Sequence, residues 1–237
     1  MGTASKETRT VSILQSNYIP WKGYFDIVRR SDVFLFFDNV QSTKQDWRSR
    51  NRIKTPRGEI WLSIPIHHAL DLRISEVTVV NHRWAMKHLR SIEQSYAKAP
   101  YMPELHPWLI TIYHQAAELT KLTDINQLFI QAILTKLGVK ISTQNAEQIL
   151  PLGVLDELSP TERLVELARA TGATTYLSGP AAKSYLCEED FNDAGIAVEW
   201  MDYSRYREYP QLHGPFRHDV SILDLLLMTG PMVQSYL

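Results

Sequence analysis

The chain has 237 residues, of which 44% are hydrophobic and 22% charged, the composition of an ordinary soluble globular protein with a substantial core. A formal net charge of -1 excludes a general nucleic-acid coat, which needs a large excess of Lys and Arg. A lone cysteine, Cys187, excludes an intrachain disulfide and a cysteine-based zinc site and suits a reducing compartment.

In chain order, residues 1 to 10 read as a disordered tail, polar and without an apolar secretory core. No apolar run approaches the ~20 residues that span a bilayer, so the expected location is cytoplasmic. Val11 to Leu14 is a short buried strand. Pro20 and Gly23 keep the next segment irregular until a helix over Tyr24 to Ser31, and VFLFF from Val33 is a central strand. Strand, helix and strand in quick succession imply a βαβ unit. Ligand crevices of such units lie beyond the carboxyl ends of the strands, where Gln15 to Trp21 and Asp38 to Gln41 fall.

A basic arm follows, with Lys44, Arg48, Arg50, Arg52 and Lys54 around Trp47 and Asn51. Pro56-Arg57-Gly58 is a turn, Ile60 to Ile66 a strand that Pro65 puts at an end or edge, and Ser75 to Val80 another candidate strand. His82 to Tyr96 has helical spacing, Pro100, Pro103 and Pro107 interrupt the chain, and helices follow over Trp108 to Leu119 and Ile125 to Leu137. Val139 to Ser142 reads as a strand of parallel type. Ser159-Pro160 opens a helix running to Ala170, TTYLSG is a strand and turn, and a helix starts over Pro180 to Leu186. Ile196 to Trp200 is a strand, and SILDLLLMTG is an apolar helix with Ser and Gly caps. The fold expected is α/β, a doubly wound, mostly parallel sheet. It forms a single domain over 11–237 with a helical insertion or cap at about 82–137.

The loop QSNYIPWKGY concentrates amide, phenol, indole and ammonium groups, and loops held by a sheet carry binding residues. Gln15, Asn17, Tyr18, Trp21, Tyr24, Gln41, Trp47 and Asn51 are the candidate substrate-binding residues. On a strand Arg48, Arg50, Arg52 and Lys54 share one face, and guanidinium forks bind phosphate or carboxylate; a solvated basic edge has the same pattern. SGPAAKSY, between a strand and a helix, offers Ser178, Gly179 and Lys183 to a second phosphate contact, although it lacks the two-glycine frame of a Walker loop. The phosphate-binding candidates are Arg48, Arg50, Lys54, Ser178, Gly179 and Lys183.

Asp38, just past a buried strand, can orient a ribose or sugar hydroxyl or an amine, or simply hold a turn. His82 and His88, with Lys87 between them, are acid/base candidates. Asp38, His82 and His88 form the candidate catalytic set. The eight histidines show no HExxH or comparable spacing, so no metal is expected. Cys187 is followed by Glu188, Glu189 and Asp190, which raise a thiol pKa, so it reads as inert. Neither GxSxG nor GxGxxG occurs.

The opening strand with Gln15, then NYIPWKGYFD, SDVFLFFDNVQ, DWRSRNRIKTPRG, WLSIPI, HRWAMKH, SYAKAPY, YLSGPAAKSYL, VEW with its following DY, and SILDLLLMTG resemble the WbqC-like protein family. The likeness covers nearly the whole chain from Val11, with the motifs in one order. Ser16 stands where the family's Gln-Pro opening has proline. The resemblance implies a role in surface-polysaccharide (O-antigen) biosynthesis. IPWKGYFDIVRRSDVFLFF is also laid out like the HxGH segment of the nucleotidyltransferase superfamily. Only Gly23 matches there, with Trp21 and Tyr24 in place of the two histidines. That likeness implies a doubly wound fold with a nucleotide-sized crevice.

The function expected is therefore a transferase of surface-glycan or nucleotide-sugar metabolism acting on an activated, phosphate-bearing small molecule. The transfer is of an acyl or aminoacyl group to an amino sugar, or of a nucleotidyl group. No bound cofactor is expected beyond a nucleotide or acyl-donor co-substrate, and a carrier protein is an alternative partner. The rivals are a non-catalytic nucleotide- or carrier-binding accessory protein and, less favoured by the charge, a nucleic-acid binder.

Overall fold

In a computed structural model of the protein, residues 8–67 and 71–237 are described. The strands are β1 (Thr10–Leu14), β2 (Val33–Phe36), β3 (Arg50–Thr55), β4 (Gly58–Ser63), β5 (Ser142–Asn145), β6 (Thr175–Ser178) and β7 (Ala197–Trp200). The α-helices are α1 (Lys22–Arg29), α2 (Arg83–Tyr96), α3 (Met102–Ala117), α4 (Leu122–Lys136), α5 (Ala146–Ile149), α6 (Leu152–Glu157), α7 (Pro160–Ala170), α8 (Glu188–Asp193) and α9 (Ile222–Thr229). The chain divides into two compact units: Met1–Leu14, Asp26–Asn39 and Lys140–Ser204 form one; Gln15–Phe25, Val40–Val139 and Arg205–Leu237 form the other.

The first unit is a parallel five-stranded sheet in the order β5-β2-β1-β6-β7. Strands are added to one side of β1 and then to the other, which is the doubly wound α/β arrangement. Val11 registers with Val33 and Leu14 with Phe36 on one side, while Thr10 registers with Thr175 on the other. All four residues of β2 are buried, as a continuous apolar run in a parallel sheet with both faces covered must be. The polar β5 and the mixed β7 close the edges, with alternate residues exposed. At the switch between β1 and β6, Ile27, Leu177 and Met201 form a buried cluster with Leu14 and Tyr203 against it.

The second unit holds an antiparallel hairpin in which Arg50 pairs with Ser63 and Thr55 with Gly58. The basic arm is thus a strand, and Gly58 turns the chain with φ 111, a left-handed value that glycine adopts without strain. α2, α3, α4 and α9 complete this unit. The helices expected as a cap over 82–137 lie in it together with the hairpin and the C-terminal segment. Ser221 Oγ caps α9 by accepting from Leu223 N, and Gly230 ends it.

Several boundaries differ from expectation. Of the tail expected over 1–10, residues 1–7 lie outside the described residues, but Arg9 already bonds to Thr174 and Thr10 opens β1. α1 starts two residues early, at Lys22, and takes Gly23 into its first turn, where glycine's cost is smaller than in a helix interior. Ser75 to Val80 is not a strand. A 3-10 turn occupies Ile74–Glu76, and Thr78 and Val79 make only isolated bridges, because no continuous partner strand runs beside them. Pro103 sits in the first turn of α3 and Pro107 inside it, so that helix begins before two of the three prolines expected to break it. The strand after Gly138 forms at Ser142–Asn145, and Pro180–Ser184 is a 3-10 turn rather than an α-helix.

Candidate functional site

The sequence-derived candidates divide between the units. In the sheet unit, Asp38 is buried just beyond β2, and Ser178 is buried as the last residue of β6. A Cβ on Gly179 would meet Tyr203 Oη at 3.3 Å and Ile27 Cδ1 at 3.9 Å. Tyr203 and Ile27 of the same unit thus pack close to Gly179. Lys183 lies 5.3 Å over the Trp200 ring. The short 3-10 turn leaves no helix N-terminus at which phosphate is drawn to Ser178 and Gly179.

The second unit carries a cavity of about 190 Å³ lined by Asn17, Pro20, Trp21, Trp47, Asn51 and Asp219. Its walls come from the loop after β1, the residues before β3 and the residues before α9. The loop is held in an unusual shape: Ile19 has φ 37. A β-branched residue avoids this region, and more so before proline. Asn51 pays for this conformation: its Nδ2 donates to the carbonyls of Tyr18 (3.1 Å) and Ile19 (2.9 Å), and its Oδ1 accepts from Arg52 N at 2.7 Å. Tyr18 N donates to Trp47 O, and Ile222 N to Pro20 O. From α4, buried Asn126 donates through Nδ2 to Ser16 O, Ser16 Oγ and Arg48 O. Ser16 thus uses both its carbonyl and its hydroxyl to fix the loop.

The loop presents three groups to the cavity. Asn17 makes no hydrogen bond through its carboxamide among the described residues, Pro20 supplies an apolar edge, and Trp21 supplies an indole that lies 6.0 Å from the Tyr206 ring. Trp21 fits because residue 23 is glycine; a Cβ there would stand 2.2 to 2.7 Å from the indole. Across from it, Trp47 is 41% exposed and 5.5 Å from Trp61. Asp219 is forked by Arg217, through Nε and Nη2 at 2.9 Å each, and also bonds Arg52; Glu59 pairs with both arginines. The Arg217 fork holds the Asp219 carboxyl below its ordinary range despite partial burial, so it is ionised.

The basic arm is largely engaged within this unit. Arg48 pairs with Asp46 at 2.9 Å and donates to Gln15 Oε1 at 3.0 Å. Lys54 is buried and donates to Gln211 Oε1 and Pro215 O, and burial lowers its pKa. Its partners belong to a network in which Asp224 accepts from Tyr96 Oη and Gln211 Nε2. Lys54 therefore anchors the C-terminal segment instead of facing ligand. Arg50 differs: its guanidinium lies 4.2 Å over the Trp61 ring and, among the described residues, has no ion pair, while its Nε is buried without a hydrogen bond.

Tyr18, Tyr24 and His88 point inward. Tyr24 Oη donates to Gln15 O. Tyr18 Oη bonds both His88 Nδ1 and Tyr113 Oη at 2.9 Å, and burial depresses the His88 pKa to about 4. His88 is a neutral structural bridge. His82 is exposed at the N-cap of α2 with no capping side-chain bond, and Gln41 is exposed, bridging to Arg73. Among the described residues, no group of three or more His, Cys, Asp or Glu is placed to hold a metal, and no helix is long and apolar enough to cross a membrane. Sequence reasoning missed Asp219 and Asn126. Asp219 carries no local signal in its irregular segment, whereas a polar residue on the apolar face of α4 could have marked Asn126.

The strand order defines a doubly wound α/β protein, to which the second unit adds an aromatic, acid-bearing pocket. A sequence profile of the WbqC-like protein family matches residues 15–236, and the chain belongs to that family. It is similar to an uncharacterized protein of Mycobacterium tuberculosis, Rv1507c, at 40% identity over 233 residues, covering 97% of each chain. No solved structure matches.

Proposed function

We propose that this protein is a transferase of surface-glycan biosynthesis that holds the sugar of an activated, phosphate-bearing substrate in the Trp21–Trp47 pocket. The observation that carries the reading is one cavity of about 190 Å³ that joins two indoles to the Asp219 carboxylate and the unbonded Asn17 carboxamide. Indole faces take the apolar C–H face of a pyranose, while a carboxylate and an amide bond its hydroxyls. The volume lies below the roughly 300–1,000 Å³ of pockets that enclose a drug-sized ligand, so a ring enters and the rest of the substrate stays outside. Arg48, Arg52 and Lys54 are engaged by Asp46, Asp219 and Gln211, and Arg50, stacked on the neighbouring Trp61, is the cation of the arm that can receive phosphate at the rim. The glycan setting rests on the family resemblance, and the group moved is acyl, aminoacyl or nucleotidyl.

A second reading, a non-catalytic binder of the same substrate, draws on the acid/base groups. Asp219 is held ionised by Arg217, and His88 is turned into the Tyr18 network. Saturation-transfer NMR with hexoses, N-acetylhexosamines and nucleotide-sugars tests the site. Ring protons of one sugar class should receive saturation, and Trp47→Ala should weaken that binding about tenfold. Arg50→Ala should weaken the nucleotide-sugar and spare the free sugar. Absence of saturation transfer to every sugar sinks the proposal. Turnover of the bound donor separates transferase from binder.

A further inference from the structure

A second and larger cavity, about 710 Å³, runs between β4 and α2 and shares no lining residue with the Trp21–Trp47 pocket. Arg83, Lys87 and Ser91 line it from α2. At a spacing of four they stack along one helix face, which sets two cations side by side at a cost in the absence of an anion. Among the described residues neither cationic side chain has a hydrogen bond or ion pair, and no carboxylate lines the groove. Trp84, also in the lining, is only 2% exposed, yet its Nε1 finds no hydrogen-bond acceptor among the described residues. The opposite wall offers Trp61, which is 43% exposed although the Arg50 guanidinium lies 4.2 Å over its ring. The positive end of α2, uncapped by the His82 side chain, adds to the field.

We propose that this groove is a nucleotide site, with a di- or triphosphate on Arg83 and Lys87 and the base against the exposed part of the Trp61 indole. The volume suits such a ligand. Two unopposed cations suit its phosphates, and a half-exposed indole suits a planar base. The site does not depend on sugar binding at the other pocket, with which it shares no lining residue.

The test is isothermal titration of the full chain with ADP, UDP and inorganic pyrophosphate at low ionic strength, with sulfate as competitor. All three should bind saturably, and the Arg83→Ala/Lys87→Ala double variant should bind each at least about tenfold more weakly. Trp61→Ala should weaken ADP and UDP while leaving pyrophosphate within about twofold, because only the base meets the indole. Thermal unfolding of each variant, read in parallel, shows whether the fold is retained. The lysine- and arginine-conserving swap Arg83→Lys/Lys87→Arg should recover most of the affinity and guards against a variant that fails to fold. Equal competition by sulfate, unchanged affinity in the double variant, or no saturable binding by the wild type overturns the nucleotide site. Equal losses for pyrophosphate and ADP in Trp61→Ala overturn the base contact.

Discussion

His88 shows how burial redirects a residue that looks catalytic. Around its ring stand the Tyr18 and Tyr113 hydroxyls, the Ser63 backbone, the Trp84 ring and the Lys87 ammonium. Burial is the main cause of its lowered pKa, about 4 against an ordinary 6.5; Lys87 adds to the fall and the Ser63 bond opposes it. The unfolded chain takes up this proton near pH 6.5 and the folded one only near 4, so the stability it supports is complete above pH 6.5 and lost as pH falls toward 4. The full effect is about 3 kcal/mol. In urea unfolding, the wild type should lose up to that much more than His88→Gln between pH 7 and pH 4; equal losses would refute this role. At the same scale, Gly23→Ala should push Trp21 from the pocket wall. It should lower sugar affinity about tenfold with near-wild-type circular dichroism.

The loop from Gln15 to Trp21 is an element whose shape its own sequence does not favour. Its left-handed Ile19 persists because Asn51 holds the carbonyls of Ile19 itself and of Tyr18, Trp47 O holds Tyr18 N, and Asn126 holds Ser16 O. Strain of this kind persists where surrounding structure over-determines it, and it concentrates at functional sites. Asn51→Ala strands two carbonyls and one backbone N–H, at about 1–3 kcal/mol for a buried unsatisfied group. Denaturant unfolding should register a loss of at least about 2 kcal/mol, and sugar affinity should fall with it. If Asn51→Ala keeps wild-type stability, the pin is elsewhere.

At the scale of the whole molecule, the chain leaves each compact unit and returns to it, so the last segment completes a unit begun at Gln15. α9 buries Ile222, Leu223, Leu225, Leu226 and Leu227. Each such side chain contributes about 1.5–3 kcal/mol, so their sum rivals the roughly 5–15 kcal/mol that holds a domain folded. Asp224 and Gln211 also bond Tyr96, Lys54 and each other. A chain ending at Ser204 should lose cooperative unfolding, and the β3–β4 hairpin should lose amide protection in hydrogen exchange. Retained hairpin protection would show that the second unit does not need its C-terminal segment.

Local pattern sufficed wherever local chemistry decides. The apolar runs of β1 and β2, the Ser159-Pro160 start of α7, the Gly58 turn, and the Ser221 and Gly230 caps of α9 are readable because periodicity, capping and glycine freedom act within a few residues. The loop with Asn17 and Trp21, and the arm with Trp47 and Arg50, were also legible as a concentration of polar and aromatic groups. Which of those groups face outward was not, because that depends on partners far along the chain. Lys54 looks like a phosphate ligand until Gln211 and Pro215 claim it, and His88 looks like a base until Tyr18 does. Asp219 has no motif of its own and enters the pocket only when Arg52 and Arg217 draw it there. Side-chain type is local, but burial and charge pairing are tertiary, and those two terms determine which residues remain available for a ligand.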